Sequence, residues 1–431
     1  MMDPISVTDT QMVATDTSYF PLVDLRPVSN SAHQWVALSA RLAAGEGEGA
    51  YAHGDAASPS AADPGADAET PPSPWQAVFD SNDLLTAIAP LDCVIHLADP
   101  AHLSAPLLAR LPSNRVQFAV AAPSLAQEGV LRAIANLQQA GYRVLVDGAA
   151  AAAGDMGGSA PIPPTLRAVA HDCAGALASG TPLLALFGPH LAYGVDSAQQ
   201  FEACAKAGFA WFSGDYALHP APDPSGTDDG ITARRLLKLL GLLLADAETR
   251  EIEAELKHDP VLSFQLLRLV NSAAFAPAVP IHNFAQAIDR LGRRQLLRWL
   301  QLLLYARPRA DGLANPLLPI AAMRAAQIES LCKQHGCGRD EQDLAFQVGV
   351  FSLLDVLLGM SMAEIVAALF LPPDTAGALL ERDGRMGRLL ALAEATAPTG
   401  AALAALHITP QQWWRSQLDG FHWAIQVSRN L

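Results

Sequence analysis

The chain has 431 residues, enough for two or three domains, each with its own core. Hydrophobic residues make up 51% and charged residues 16%, which excludes a disordered chain; aromatics at 6% among abundant alanine and leucine favour helix. A formal net charge of -15 excludes broad binding to nucleic acid or to an anionic membrane surface.

A local basic patch could be formed by Arg293, Arg294 and Arg298, although a solvated helix face explains these residues more simply. The five cysteines (Cys93, Cys173, Cys204, Cys332 and Cys337) form no CxxC pair and read as scattered reduced thiols. No basic stretch followed by an apolar run opens the chain, so no signal peptide is expected. The apolar run Leu236–Ala245 is too short to span a bilayer. These features point to a cytoplasmic protein without membrane insertion.

Residues 45–74, rich in Gly, Ala, Ser, Pro and Asp, cannot bury enough surface to offset their ordering entropy and are expected to be a disordered insertion. Short apolar runs at Cys93–Ala98, Val116–Ala121, Tyr142–Val146, Leu183–Phe187 and Ala210–Ser213 read as strands. Helical patterns at Leu125–Ala140 and Ala198–Ala207 alternate with them, which implies a parallel sheet, open or closed into a barrel. The Pro/Gly/Asp-rich stretch Pro220–Gly230 divides the chain at about 222/223.

Beyond it, helical spacing runs through Ile231–Ala245, Arg250–Leu256, Val261–Asn271, Ile281–Leu291, Arg293–Tyr305, Pro319–His335, Glu341–Leu358 and Ala363–Leu369. The expected fold is therefore α/β over 1–222 and all-α over 223–431. Asp259 before Pro260 suits a helix start, and Asn271-Ser272 suits a helix end. The pairs His258-Asp259 and His171-Asp172 invite a metal reading, but neither has the further His and Asp ligands that a metal centre requires. There is no P-loop, GxSxG or HExxH motif.

The pattern Asp259-Pro260, Leu266-Leu267-Arg268, Asn271-Ser272, Ile281, Ala287-Ile288 and Leu291-Gly292 resembles the HDOD domain, an all-helical relative of the HD-GYP phosphodiesterases. The likeness extends to about Glu394. Where an active HD-GYP enzyme would carry its His-Asp pair, this chain has Ser352-Leu353. The first half more weakly resembles an EAL domain of the cyclic-di-GMP phosphodiesterase class, a TIM-like barrel, chiefly through Gly194-Val-Asp196 and Gly208–Tyr216. On that resemblance the signature glutamate falls at Val36, an acidic ligand is missing at Ala121-Ala122, and paired aspartates are reduced to Asp147-Gly148. Asp172 lacks its preceding lysine, and Asp196 stands where a glutamate would.

Two-metal hydrolysis needs several carboxylates. The resemblance therefore implies a non-catalytic EAL–HDOD signal-transduction regulator with a degenerate EAL scaffold or sensor, no metal and no cofactor. It would act by protein–protein contact or self-association through the HDOD domain, with Trp299, Trp413, Trp414 and Trp423 as candidate anchors, although core packing explains at least half of them more simply. The alternatives are a cyclic-di-GMP receptor without hydrolysis or a weak cyclic-di-GMP phosphodiesterase.

Overall fold

The computed structural model describes residues 20–43, 74–80, 83–100, 103–148, 165–174, 187–220, 229–245, 247–271, 281–284, 286–287, 292–306, 312–395 and 398–430. The expected insertion at 45–74, the boundary at 222/223 and most of the expected strand Leu183–Phe187 lie outside the described residues.

Eight strands close a barrel in sequence order: β1 (Val23–Ser29), β2 (Trp35–Leu42), β3 (Asp92–Leu97), β4 (Val116–Ala121), β5 (Arg143–Asp147), β6 (Ala168–Asp172), β7 (Leu191–Tyr193) and β8 (Trp211–Ser213). β1 runs antiparallel to β2 and β8, and the remaining pairs are parallel. A bulge between Val28 and Ser29 lets Trp35 and Val36 share the space opposite one residue. Val28, Ala37, Val94, Ala119, Leu145, Ala170 and their neighbours pack as a separate small cluster, so side chains fill the barrel. Period-two alternation then turns Leu38, Ile95, Phe118, Val144 and Val146 outward, into a core shared with the surrounding helices α1 (Pro74–Phe79), α2 (Asp83–Ala87), α3 (Ala105–Leu108) and α4 (Glu128–Gln139). A fifth helix, α5 (Ala198–Lys206), precedes β8.

The described residues beyond the barrel form helices: α6 (Asp229–Leu244), α7 (Thr249–Lys257), α8 (Pro260–Val270), α9 (Arg293–Leu303), α10 (Leu317–Gln334), α11 (Arg339–Phe351), α12 (Leu354–Leu358), α13 (Met362–Leu369), α14 (Pro373–Leu380), α15 (Gly384–Glu394), α16 (Gly400–Ala405) and α17 (Pro410–Asn430). α10 is the axis, buried along most of its length. α11 crosses it at Gly349, where a Cβ would stand 2.5 Å from the Ala325 Cα; only the missing side chain allows so close an approach. The single helix expected over Glu341–Leu358 breaks at Ser352-Leu353. Ser352 caps α11 there, donating its hydroxyl to Gly349 O at 2.8 Å.

α17 belongs to both parts. Its Trp413, Ala424 and Val427 join the helical core, whereas Trp414, Leu418, Phe421 and Ile425 join the core around the barrel. Gln417 donates to Val23 O at 3.4 Å, and the Trp35 and Phe421 rings lie 5.8 Å apart. The tryptophan anchors are thereby corrected: Trp299, Trp413 and Trp414 are buried within the chain, and Trp423 packs 5.1 Å from Trp299. The reading of the cysteines also changes, because Cys332 and Cys337 are joined in a disulfide. The arginines of α9 form no free basic patch. Arg294 pairs with Asp343 at 2.6 Å, Arg298 pairs with Glu329 and stacks 3.8 Å over the Phe346 ring, and Arg293 donates to Ala247 O.

Candidate site at the barrel mouth

The carboxyl ends of the parallel strands, with the start of antiparallel β1, form one mouth of the barrel, the end where catalytic groups of such barrels collect. Asp147 at the end of β5 is its centre. His96 Nδ1 lies 2.7 Å from Asp147 Oδ2, Tyr193 donates to Oδ1 at 2.6 Å, and Arg41 approaches Oδ2 at 3.4 Å. Ser39 Oγ sits 2.9 Å from His96 Nε2. The Arg41 guanidinium stacks 3.9 Å over the Tyr193 ring.

Burial pushes the Asp147 carboxyl up, but the hydrogen bonds from His96 and Tyr193 and the Arg41 charge outweigh it and hold the group below the ordinary aspartate value. Burial likewise lowers the His96 imidazole, against the pull of Asp147. A neutral His96 gives its Nδ1 proton to Asp147 and accepts from Ser39 at Nε2, so both contacts agree on one tautomer. Burial and the bond to Asp147 push the Tyr193 phenol up to about 12, which keeps it a donor.

The order Ser39–His96–Asp147 matches the relay of a serine hydrolase. Ser39 is only 3% exposed and lies deeper in the barrel than His96, so an incoming acyl or phosphoryl group has no path to its Oγ. Both Asp147 carboxylate oxygens accept hydrogen bonds from the protein, and no group of three His, Cys, Asp or Glu that could hold a metal occurs among the described residues.

The expected positions divide. Asp147 is in the network. Val36 is not opposite it: the residue lies at the bulge where β2 begins, five residues or roughly 16 Å along the strand from Arg41. The β2 residues that reach the mouth are Ser39 and Arg41. Asp172 is exposed and accepts from Ala174 N at 3.0 Å, closing a local turn. His171 alternates to the outer face and stacks on Phe209. Asp196 is tied to Gln200 and the Asp215 amide. Ser39, Arg41, His96 and Tyr193 escaped the sequence reading. Their only signal is their place near strand ends.

Beside β1 the mouth continues into a narrow cleft of about 90 Å³ between the barrel and α10, α15 and α17. Asp24 and Arg26 line it from β1, 3.1 Å apart, with Asp215 3.8 Å from Arg26. Burial raises the Asp24 carboxyl in spite of the Arg26 charge. From the helical side comes Arg324, with Nη1 at 3.3 Å from Glu394 and 3.2 Å from Ser352 Oγ. Arg382 forks onto Glu394 at 2.7 and 2.9 Å.

The helical motif is explained by structure. Asp259, 8% exposed, caps α8 by accepting from Leu262 N at 3.1 Å, and Pro260 opens the helix. Leu266, Ile281 and Ala287 are buried, Leu267 is half-buried, and Arg268 is exposed. Asn271 clamps the chain ten residues on: its side chain donates to Leu267 O and Ile281 O at 2.7 and 2.8 Å and accepts from Ile281 N at 2.7 Å. Gly292 precedes α9 at φ 76°, a backbone that glycine adopts freely. Ser272, Ile288 and Leu291 lie outside the described residues.

Comparison with known proteins agrees with the helical half. Cyclic di-GMP phosphodiesterase CdgJ of Vibrio cholerae is 30% identical over 206 residues of the C-terminal half, 47% of each chain. YuxH of Bacillus subtilis, an uncharacterized protein, is 26% identical over 205 residues, 47% of this chain and 49% of its own. The chain thus matches about half the length of each of these curated relatives. A crystal structure of an HDOD domain protein from Geobacter sulfurreducens aligns at 15% identity and a TM-score of 0.28, covering 46% of this chain and 87% of that one.

The CdgJ match corrects the expectation of a non-enzyme, because that relative is named a phosphodiesterase. Among the described residues no helix is long and apolar enough to cross a membrane. Residues 232–307 match the HDOD domain family, and this segment of the chain is an HDOD domain.

Proposed function

We propose that the chain is a cyclic-di-GMP signalling protein in which an EAL-like barrel, residues 1–222, presents its mouth to the dinucleotide. An HDOD-type helical unit, residues 223–431, would carry the state of that mouth to a protein partner or a second copy. The observation that carries this reading is the Arg41–Tyr193 pair. A guanidinium held over an aromatic ring offers planar donors to a phosphodiester and a π face to a base. Arg41 spends little of that capacity on Asp147, 3.4 Å away, and its side chain is 34% exposed. The similarity to CdgJ supports the choice of ligand.

The test is calorimetry of the full chain with cyclic di-GMP. Saturable binding by the wild type, weakened about tenfold or more in Arg41→Ala, supports the reading. A flat titration with folded protein, or equal affinity in the variant, refutes it. Hydrolysis is a second reading, favoured by the name of the Vibrio relative. Chromatography of the same samples for linear dinucleotide, with magnesium or manganese added, decides it.

A further inference from the structure

We propose a binding site for a phosphate monoester in the helical half, at a cavity of about 300 Å³ where His335, Arg385, Arg388 and His407 converge. Leu389, Ala405 and Leu406 complete the lining, and no carboxylate takes part in it. That is a marked local reversal in a chain of net charge -15. Neither Arg385 nor Arg388 makes an ion pair or side-chain hydrogen bond among the described residues, although Arg294, Arg298, Arg324 and Arg382 all do.

Three elements bring these groups together. His335 caps the end of α10 in the short turn closed by the Cys332–Cys337 disulfide. Its Nε2 is buried with no hydrogen-bond partner, an arrangement that calls for a ligand atom. Burial lowers its pKa first, and the charges of Arg385 and His407 lower it further. Arg385 and Arg388 lie in the first two turns of α15, where the positive end of the helix dipole opposes a cation and favours an anion. His407 follows α16 at φ 56°, the left-handed residue of a helix end closed by Ile408 N donating to Leu403 O at 3.0 Å.

The cluster is therefore repulsive as it stands, and an anion would relieve it. Two arginines beside two imidazoles suit a phosphoryl dianion better than a carboxylate, since four donors can share three terminal oxygens. The leucine-lined floor takes the apolar part of an esterifying group. The volume is at the lower end for small-ligand sites, which suits a mononucleotide rather than a dinucleotide. The site thus stands apart from the barrel mouth and does not depend on it.

The experiment is calorimetric titration of the full chain at constant ionic strength with inorganic phosphate, adenosine monophosphate and acetate in separate runs. The expected result is saturable binding of phosphate and tighter binding of the monophosphate below about 10 mM, with no saturation by acetate. Arg385→Gln and Arg388→Gln, both exposed in the fold, should each weaken phosphate binding about tenfold while thermal unfolding stays unchanged. Tighter binding of phosphate than of the monophosphate would confine the site to the free ion and overturn the ester assignment. Absence of saturation by both phosphates, equal binding of acetate, or unaltered affinity in the double variant would overturn the site itself.

Discussion

Arg324 offers the sharpest test of the packing. Its side chain is 8% exposed, burial lowers its pKa, and its partner Glu394 is 22% exposed. Glu394 has a second cation, Arg382, bound through two hydrogen bonds, whereas Arg324 has no second acid within salt-bridge distance among the described residues. The consequences of cutting the pair from each side are therefore unequal. Glu394→Gln strands a buried guanidinium and should cost about 3 kcal/mol, the lower end for breaking a buried pair, because the amide oxygen still accepts. Arg324→Met leaves Glu394 with Arg382 and Ser352 with Gly349 O, and replaces the charge with an apolar chain of similar length. That change should cost about 1–2 kcal/mol for two lost hydrogen bonds.

Once the methionine is present the glutamine strands nothing, so the double variant should be close to Arg324→Met alone, with a coupling of about 3 kcal/mol. Urea unfolding followed by circular dichroism at 25 °C measures all four corners of the cycle. Additive costs, or a larger loss for Arg324→Met than for Glu394→Gln, would show that Glu394 is not what holds this cation in the interior.

Two further outcomes follow from other contacts. His96 is held neutral below its ordinary value of 6.5, so its contribution to stability is complete above that pH and is lost as the pH falls below it, where the unfolded chain takes up the proton first. Tm measured from pH 8 to pH 5 should fall less steeply in His96→Gln than in the wild type; parallel curves would remove His96 from the pH response. At the helix crossing, Gly349→Ala forces α10 and α11 apart and should cost about 3 kcal/mol, against a gain of less than about 1 kcal/mol if the site were open. Equilibrium denaturation separates these two signs.

The parts of this fold that were legible in the sequence are those built from local interactions. The Asp259 cap, the proline after it and the Asn271 stop act within a few residues, so their chemistry shows in the order of the chain. Short continuous apolar runs marked β3, β4 and β5. Strand β7, three residues long, and the alanine-rich β6 carry too little pattern to stand out. The barrel mouth was harder for a different reason. Its network draws on residues 39, 41, 96, 147 and 193 from four strands, and which β2 residues reach it depends on a bulge that no composition signals. Placing the key position at Val36 missed the mouth by most of a strand.

The same long-range assembly explains why the barrel and helical parts do not behave as beads on a string. Helix α17, the last in the chain, packs Trp414, Leu418, Phe421 and Ile425 into the core around the barrel, and its opposite side into the core that contains α10. Separating the two parts would expose both faces of one helix to water, a loss proportional to apolar area on each side. It would also open the cleft where Asp24, Arg26 and Asp215 face Arg324, whose charged form Asp215 favours from across the boundary. Ser352 accepts from the Arg324 guanidinium at 3.2 Å and so helps hold it at the helical wall of that cleft.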